Sequence, residues 1–106
     1  MNDETTLKKA VDRIVATVQP SRVILFGSRG RGDAGEDSDF DLLVTKPHVD
    51  NQGEEMIRLS RALGRVGANI DLLVYSDTEY ERRSQVPGTL LYWARKEGRP
   101  LYEASH

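Results

Sequence analysis

Hydrophobic positions change period several times along the chain, and each change marks an element. Leu7, Val11, Ile14, Val15 and Val18 recur every three or four residues, which is one face of a helix. Thr5 or Thr6 is placed to cap its start, and Pro20 to close it. Arg22-Val-Ile-Leu-Phe26 is a short apolar run rich in β-formers and reads as a buried strand. Residues 39–45, Asp-Phe-Asp-Leu-Leu-Val-Thr, read as a second strand, with Pro47 just past its end. Met56, Leu59, Leu63 and Val66 give residues 52–66 helical spacing, with Gly67 as the stop. Residues 69–75 read as a third strand, and residues 76–85, which are polar, as a short helix at most.

Pro87 suits the first turn of a helix running to Lys96, with Gly98 as its terminator. Leu90, Leu91, Trp93 and Ala94 give that helix an apolar side, and Pro100–Glu103 reads as a last short edge strand. No repeat, linker or low-complexity tract interrupts this order. It predicts one compact α/β unit, a single domain over residues 1–106.

Composition narrows the function. The net charge of −2 gives no global pull toward nucleic acid or an anionic membrane, so direct binding to either is not expected. With no cysteine, disulfides, thiolate zinc sites and a cysteine nucleophile are excluded. The first nine residues lack the basic-then-apolar pattern of a signal peptide, and no apolar run reaches the roughly 18 residues that span a bilayer. The expected location is the cytoplasm.

The candidate chemistry begins where the first strand ends, at Gly27-Ser28. Ten residues, 29 through 38, separate that pair from Asp39-Phe40-Asp41. Residues two apart in a strand project to the same face, which puts Asp39 and Asp41 about 6.6 Å apart along its axis. Two carboxylates at that distance repel by roughly 2–3 kcal/mol at an effective dielectric near 20. Asp71 adds a third acid from a later strand. Alone it could be the polar face of a half-buried strand, but its flanks, Ile70 and Leu72–Val74, are nearly all apolar, so an unpaired acid there would be costly. A cation resolves the conflict, and hard oxygen ligands suit Mg²⁺, which completes its shell with water and phosphate. Two such ions can serve both the attacking and the leaving oxygen.

On the phosphate side, glycine admits close backbone approach. Ser28 and free N–H groups at a strand-to-helix turn can donate to phosphate oxygens. Arg31 is placed to neutralise charge developing on pyrophosphate. Gly30-x-Gly32-x-x-Gly35 matches the dinucleotide fingerprint, but acids and a strand follow it rather than an apolar helix, so no Rossmann site is read there. Arg31-Gly32-Asp33 is read as a coincidental adhesion tripeptide. His48 and His106 are not placed to activate Ser28 as a nucleophile.

Gly27, Ser28, Arg31, Gly32, then Ser38, Asp39, Asp41 and Leu42, then Asp71, resemble the DNA polymerase β-type nucleotidyltransferase superfamily. The short chain resembles its minimal nucleotidyltransferase (MNT) branch, as does the closing segment from Trp93 to Tyr102. Gly30 departs from the alanine the family often carries, a small-for-small change.

The resemblance implies a small mixed β-sheet with helices packed on it. Asp39 and Asp41 would hold two Mg²⁺ ions. Asp71 would bind the catalytic ion and help deprotonate the acceptor hydroxyl. Gly27 and Ser28 would hold the β- and γ-phosphates of ATP, with Arg31 and Ser38 beside them. It also implies a partner: MNT proteins are often antitoxins of HEPN RNase toxins, and some transfer AMP to a tyrosine of the toxin. Two alternatives stay open. The acceptor could be a small molecule or an RNA end, or the chain could be an antitoxin that neutralises by docking alone.

Overall fold

The computed structural model describes residues 3–26, 40–64 and 70–104. The first helix, α1, spans Asp3–Val18. It begins earlier than expected, so Thr5 and Thr6 lie inside it rather than capping it. Leu7, Ala10 and Ile14 form its buried stripe. Gln19 ends it by taking a positive φ of 50°, and Pro20 follows, unable to continue a helix. Strand β1 then runs Arg22–Phe26, and β2 runs Phe40–Lys46.

Helix α2, Gln52–Leu63, is capped by the Asn51 side chain, which accepts from the Glu54 N–H at 3.0 Å. It stops short of the expected Val66 and Gly67, because Gly64 turns the backbone to φ 53°. Val66 and Gly67 lie outside the described residues. Strand β3, Ile70–Ser76, passes directly into α3, Asp77–Arg83, capped by the Ser76 hydroxyl. Helix α4 covers Leu90–Glu97, and β4 covers Arg99–Glu103. Pro87 precedes α4 instead of opening it: the Thr89 side chain caps the helix by accepting from Tyr92 N–H at 3.2 Å. Gly98 ends it as expected.

Among the described residues the strands form a mixed sheet in the order β3-β2-β1-β4. β1 runs antiparallel to both β2 and β4, whereas β2 and β3 are parallel. A parallel pair needs a crossover, and α2 supplies it. Alternation along the strands sorts side chains to two faces. Val23, Leu25, Phe40, Leu42, Val44, Leu72 and Val74 join Leu7, Ala10, Ile14, Leu59 and Leu63 in the larger core, under α1 and α2. Ile24, Phe26 and Leu43 join Tyr80, Leu91 and Ala94 in a smaller one, under α3 and α4. A register shift beside Val23 and Ile24 bulges β4, so that Leu101 and Tyr102 both pack on the larger core.

The polar periphery ties these layers together. Arg13 donates to the carbonyl of Leu63 at 2.6 Å, joining α1 to the end of α2. Lys46 at the end of β2 meets Glu55 of α2 at 2.8 Å. Arg99 of β4 reaches Glu4 of α1 at 2.7 Å.

Candidate active site

Three strand ends meet at one edge of the layers. Because β1 is antiparallel to β2, the end of β1 lies beside the start of β2. Because β3 is parallel to β2, its start lies there too. The pairing is specific: Phe26 stands opposite Asp41, and Asp41 stands opposite Asp71. Ladder partners share a face, so Phe26, Asp41 and Asp71 form a row across the sheet on the side covered by α3 and α4.

Neighbouring strands lie about 4.8 Å apart. Carboxylates held at that spacing repel by about 1 kcal/mol in bulk water and about 3 kcal/mol at an effective dielectric near 20. Asp41 is half-buried and Asp71 is exposed at the second position of β3. The expectation that Asp71 would pay a burial penalty among apolar flanks is therefore corrected. Its neighbours Leu72 and Val74 point into the larger core, while Asp71 points to the other face and reaches solvent. Its partner across the ladder is a second acid, Asp41.

Gly27, Ser28, Arg31, Ser38 and Asp39 lie outside the described residues, as do Gly30 and Gly32. The structure fixes the two points from which their segment departs and returns, Phe26 and Phe40, on adjacent strands. Among the described residues no group of three or more His, Cys, Asp or Glu gathers as a metal site. Asp41 and Asp71 supply two hard oxygen donors from neighbouring strands, which fits the chemistry of Mg²⁺.

Among the described residues, shifted protonation falls on groups of α1, α3 and β4. Burial pushes the Tyr80 phenol up, against the pull of Arg22, whose guanidinium lies 4.5 Å from the ring centre. Hydrogen bonds from Arg83 and Arg82 hold Glu79 below the usual carboxylate range, and Arg99 does the same for Glu4. Arg82 and Arg83 are thus engaged by Glu79, and Arg95 donates to the Ser84 hydroxyl. His48 is exposed just past β2, at the end away from the acids.

Phe26 is the residue that sequence reasoning placed only in a core strand. Its position beside an acid follows from the β1–β2 register, and the one signal for it in the sequence is that it immediately precedes Gly27-Ser28.

A family model described as "Nucleotidyltransferase domain" matches residues 5–66. The chain therefore belongs to the nucleotidyltransferase domain family. The matched stretch contains Gly27, Ser28, Asp39 and Asp41 and ends before Asp71. A provisionally assigned nucleotidyltransferase from Sulfolobus solfataricus is 29% identical, with a TM-score of 0.59 over 92% of this chain and 85% of that one. A second solved structure, described as a toxin-antitoxin with AMP-PNP, is 23% identical, with a TM-score of 0.55 over 99% of this chain and 76% of that one. At that identity the second likeness shows the fold alone. No curated relative matches the chain.

Proposed function

We propose that this nucleotidyltransferase, acting as one domain over residues 1–106, transfers AMP from ATP to a hydroxyl of a partner protein. The partner would be a HEPN RNase toxin, which the modification neutralises. The observation that carries the reading is the register of Asp41 opposite Asp71, at the sheet edge where β1 leads into Gly27-Ser28. A solved toxin-antitoxin assembly of the same fold, bound to an ATP analogue by its description, supports the choice of partner and donor.

In this reading Asp39, Asp41 and Asp71 hold two Mg²⁺ ions, which when bound offset negative charge on the phosphates and make the acceptor hydroxyl more acidic. Gly27 and Ser28 grip the β- and γ-phosphates through backbone N–H groups and the serine hydroxyl. Arg31 and Ser38 complete the phosphate contacts. The acceptor oxygen bonds to the α-phosphorus as the bridging bond to the β-phosphate breaks. Pyrophosphate leaves, and Asp71 helps remove the hydroxyl proton. In-line attack of this kind depends on orientation and on charge stabilisation more than on a covalent intermediate. The cytoplasm supplies both ATP and Mg²⁺, and none of the helices among the described residues is long and apolar enough to cross a membrane.

The test is transfer from ATP labelled on the α-phosphate, with γ-labelled ATP as the control, in lysate from the protein's own source. Metal-dependent α-labelling of a macromolecule, absent from an Asp39→Ala, Asp41→Ala variant, is expected. A labelled RNA, or label confined to a small molecule, would overturn the choice of acceptor.

A docking antitoxin is the second reading. Val86, Leu90 and Trp93 are large apolar side chains about half exposed on and just before α4, a surface that suits a protein partner. Toxin neutralisation by the double aspartate variant would favour docking over catalysis.

A further inference from the structure

Phe26 has no part in the chemistry above, yet it borders Asp41 on the flank away from Asp71. Asp41 thus has an aromatic neighbour on one strand and an acid on the other. Partners across an antiparallel ladder bring their β-carbons to within about 5 Å, close enough for an aromatic ring to cover its neighbour. The ring is only 8% exposed and is anchored in the smaller core with Leu43, Leu91 and Ala94. The burial of the row is graded accordingly: Phe26 is buried, Asp41 half-buried, Asp71 exposed.

We infer that Phe26 is a positioning residue for the cation site, a water-excluding wall on the β1 flank of Asp41. The inference rests on the reading of Asp41 and Asp71 as Mg²⁺ ligands. Attraction between a carboxylate and a divalent cation grows as the local dielectric falls. The apolar shell behind a metal site controls both that dielectric and the access of water. On the open side of Asp71 nothing comparable among the described residues is needed, because that carboxylate can turn to solvent as well as to the ion. Phe26 therefore acts through Asp41 and touches neither nucleotide nor acceptor.

The experiment is a Mn²⁺ titration of the full chain without nucleotide, followed by the paramagnetic resonance of the free ion. Mn²⁺ serves as the probe because it takes the same oxygen donors as Mg²⁺. Phe26→Leu is compared with wild type and with Ile24→Val, which trims the same core two residues back along β1, opposite Leu43. Phe26→Leu is expected to weaken Mn²⁺ binding about tenfold, the low end of what outer-shell changes do. Ile24→Val is expected to leave binding unchanged. Equal affinity for Phe26→Leu and wild type would overturn the inference, as would an equal loss in Ile24→Val, which would mark general loosening of the core. A wild-type chain that binds no Mn²⁺ would overturn the ligand reading itself, and the role of Phe26 with it. Should Phe26→Leu fail to fold, Phe26→Met, which matches leucine in size and removes the ring but adapts better to an irregular gap, carries the same expectation.

Discussion

Asp41 and Asp71 are direct partners in the parallel ladder between β2 and β3, one half-buried and one exposed, on the same face of the sheet. Like charges directly opposite one another destabilise a sheet. Asp41→Asn and Asp71→Asn should each therefore abolish nucleotidyl transfer while leaving the metal-free fold as stable as wild type, or more stable by a few tenths to about 1 kcal/mol. Thermal melting in the presence of a chelator, paired with the α-label assay, checks both halves. A variant that keeps full Mg²⁺-dependent activity removes that residue from the site.

In the proposed reading a cation relieves this repulsion, so Mg²⁺ should stabilise the wild-type chain. At a free concentration a hundredfold above its dissociation constant the gain is about 2.7 kcal/mol. For a domain of this size each kilocalorie shifts the midpoint by roughly 4–8 °C. The shift should vanish in Asp41→Asn. A midpoint indifferent to Mg²⁺ in the wild type would count against Asp41 and Asp71 as ligands.

Two glycines should respond to alanine in opposite directions. A β-carbon on Gly98 would run into the carbonyl of Ala94 and come within 2.6 Å of Ile24 Cγ2, where helix α4 turns tightly into β4. Gly98→Ala should cost about 1–3 kcal/mol, the usual range for forcing a group into a packed site. On Gly53, inside α2, the same carbon would have ordinary contact with Asn51 Oδ1 at 3.5 Å. Gly53→Ala should stabilise by roughly 0.4–1 kcal/mol through the entropy of the unfolded chain. Urea denaturation midpoints measure both.

Tyr80 gives the fold an alkaline limit. Burial raises its pKa in the folded state, so the folded form favours the neutral phenol. That contribution is fully present below the ordinary tyrosine value near 10 and is lost as pH rises through the raised folded value. Tyr80→Phe should make unfolding less dependent on pH above about 10. An unchanged slope in denaturation curves across that range would assign the alkaline loss to other groups.

The strands were legible because their signal is local. β1 was expected over the residues where it stands, and β2 and β3 each end one residue later than expected, while their expected first residues, 39 and 69, lie outside the described residues. Helix ends were less legible, since they turn on competition between neighbours. Thr89 outcompeted Pro87 as the start of α4, and Gly64 ended α2 before Gly67 was reached. The acids themselves were picked out by type and spacing. Their pairing was not, because the register between β2 and β3 is set by how α2 packs across the sheet, and no local pattern encodes that distance. For the same reason the cost assigned to Asp71 was misplaced: apolar neighbours in sequence were read as apolar neighbours in space.

The parallel pairing of β2 and β3 has a consequence for synthesis. Asp41 and Asp71 meet only after the crossover through α2 has docked, and contacts so distant in sequence form late and slowly. A growing chain that has already exposed its Gly27-Ser28 and Asp39-Phe40-Asp41 segments would therefore carry two of the three proposed metal ligands and lack Asp71. Such a chain stays chemically silent on the ribosome until its third strand arrives, so activity in the proposed site would itself report that the sheet has closed.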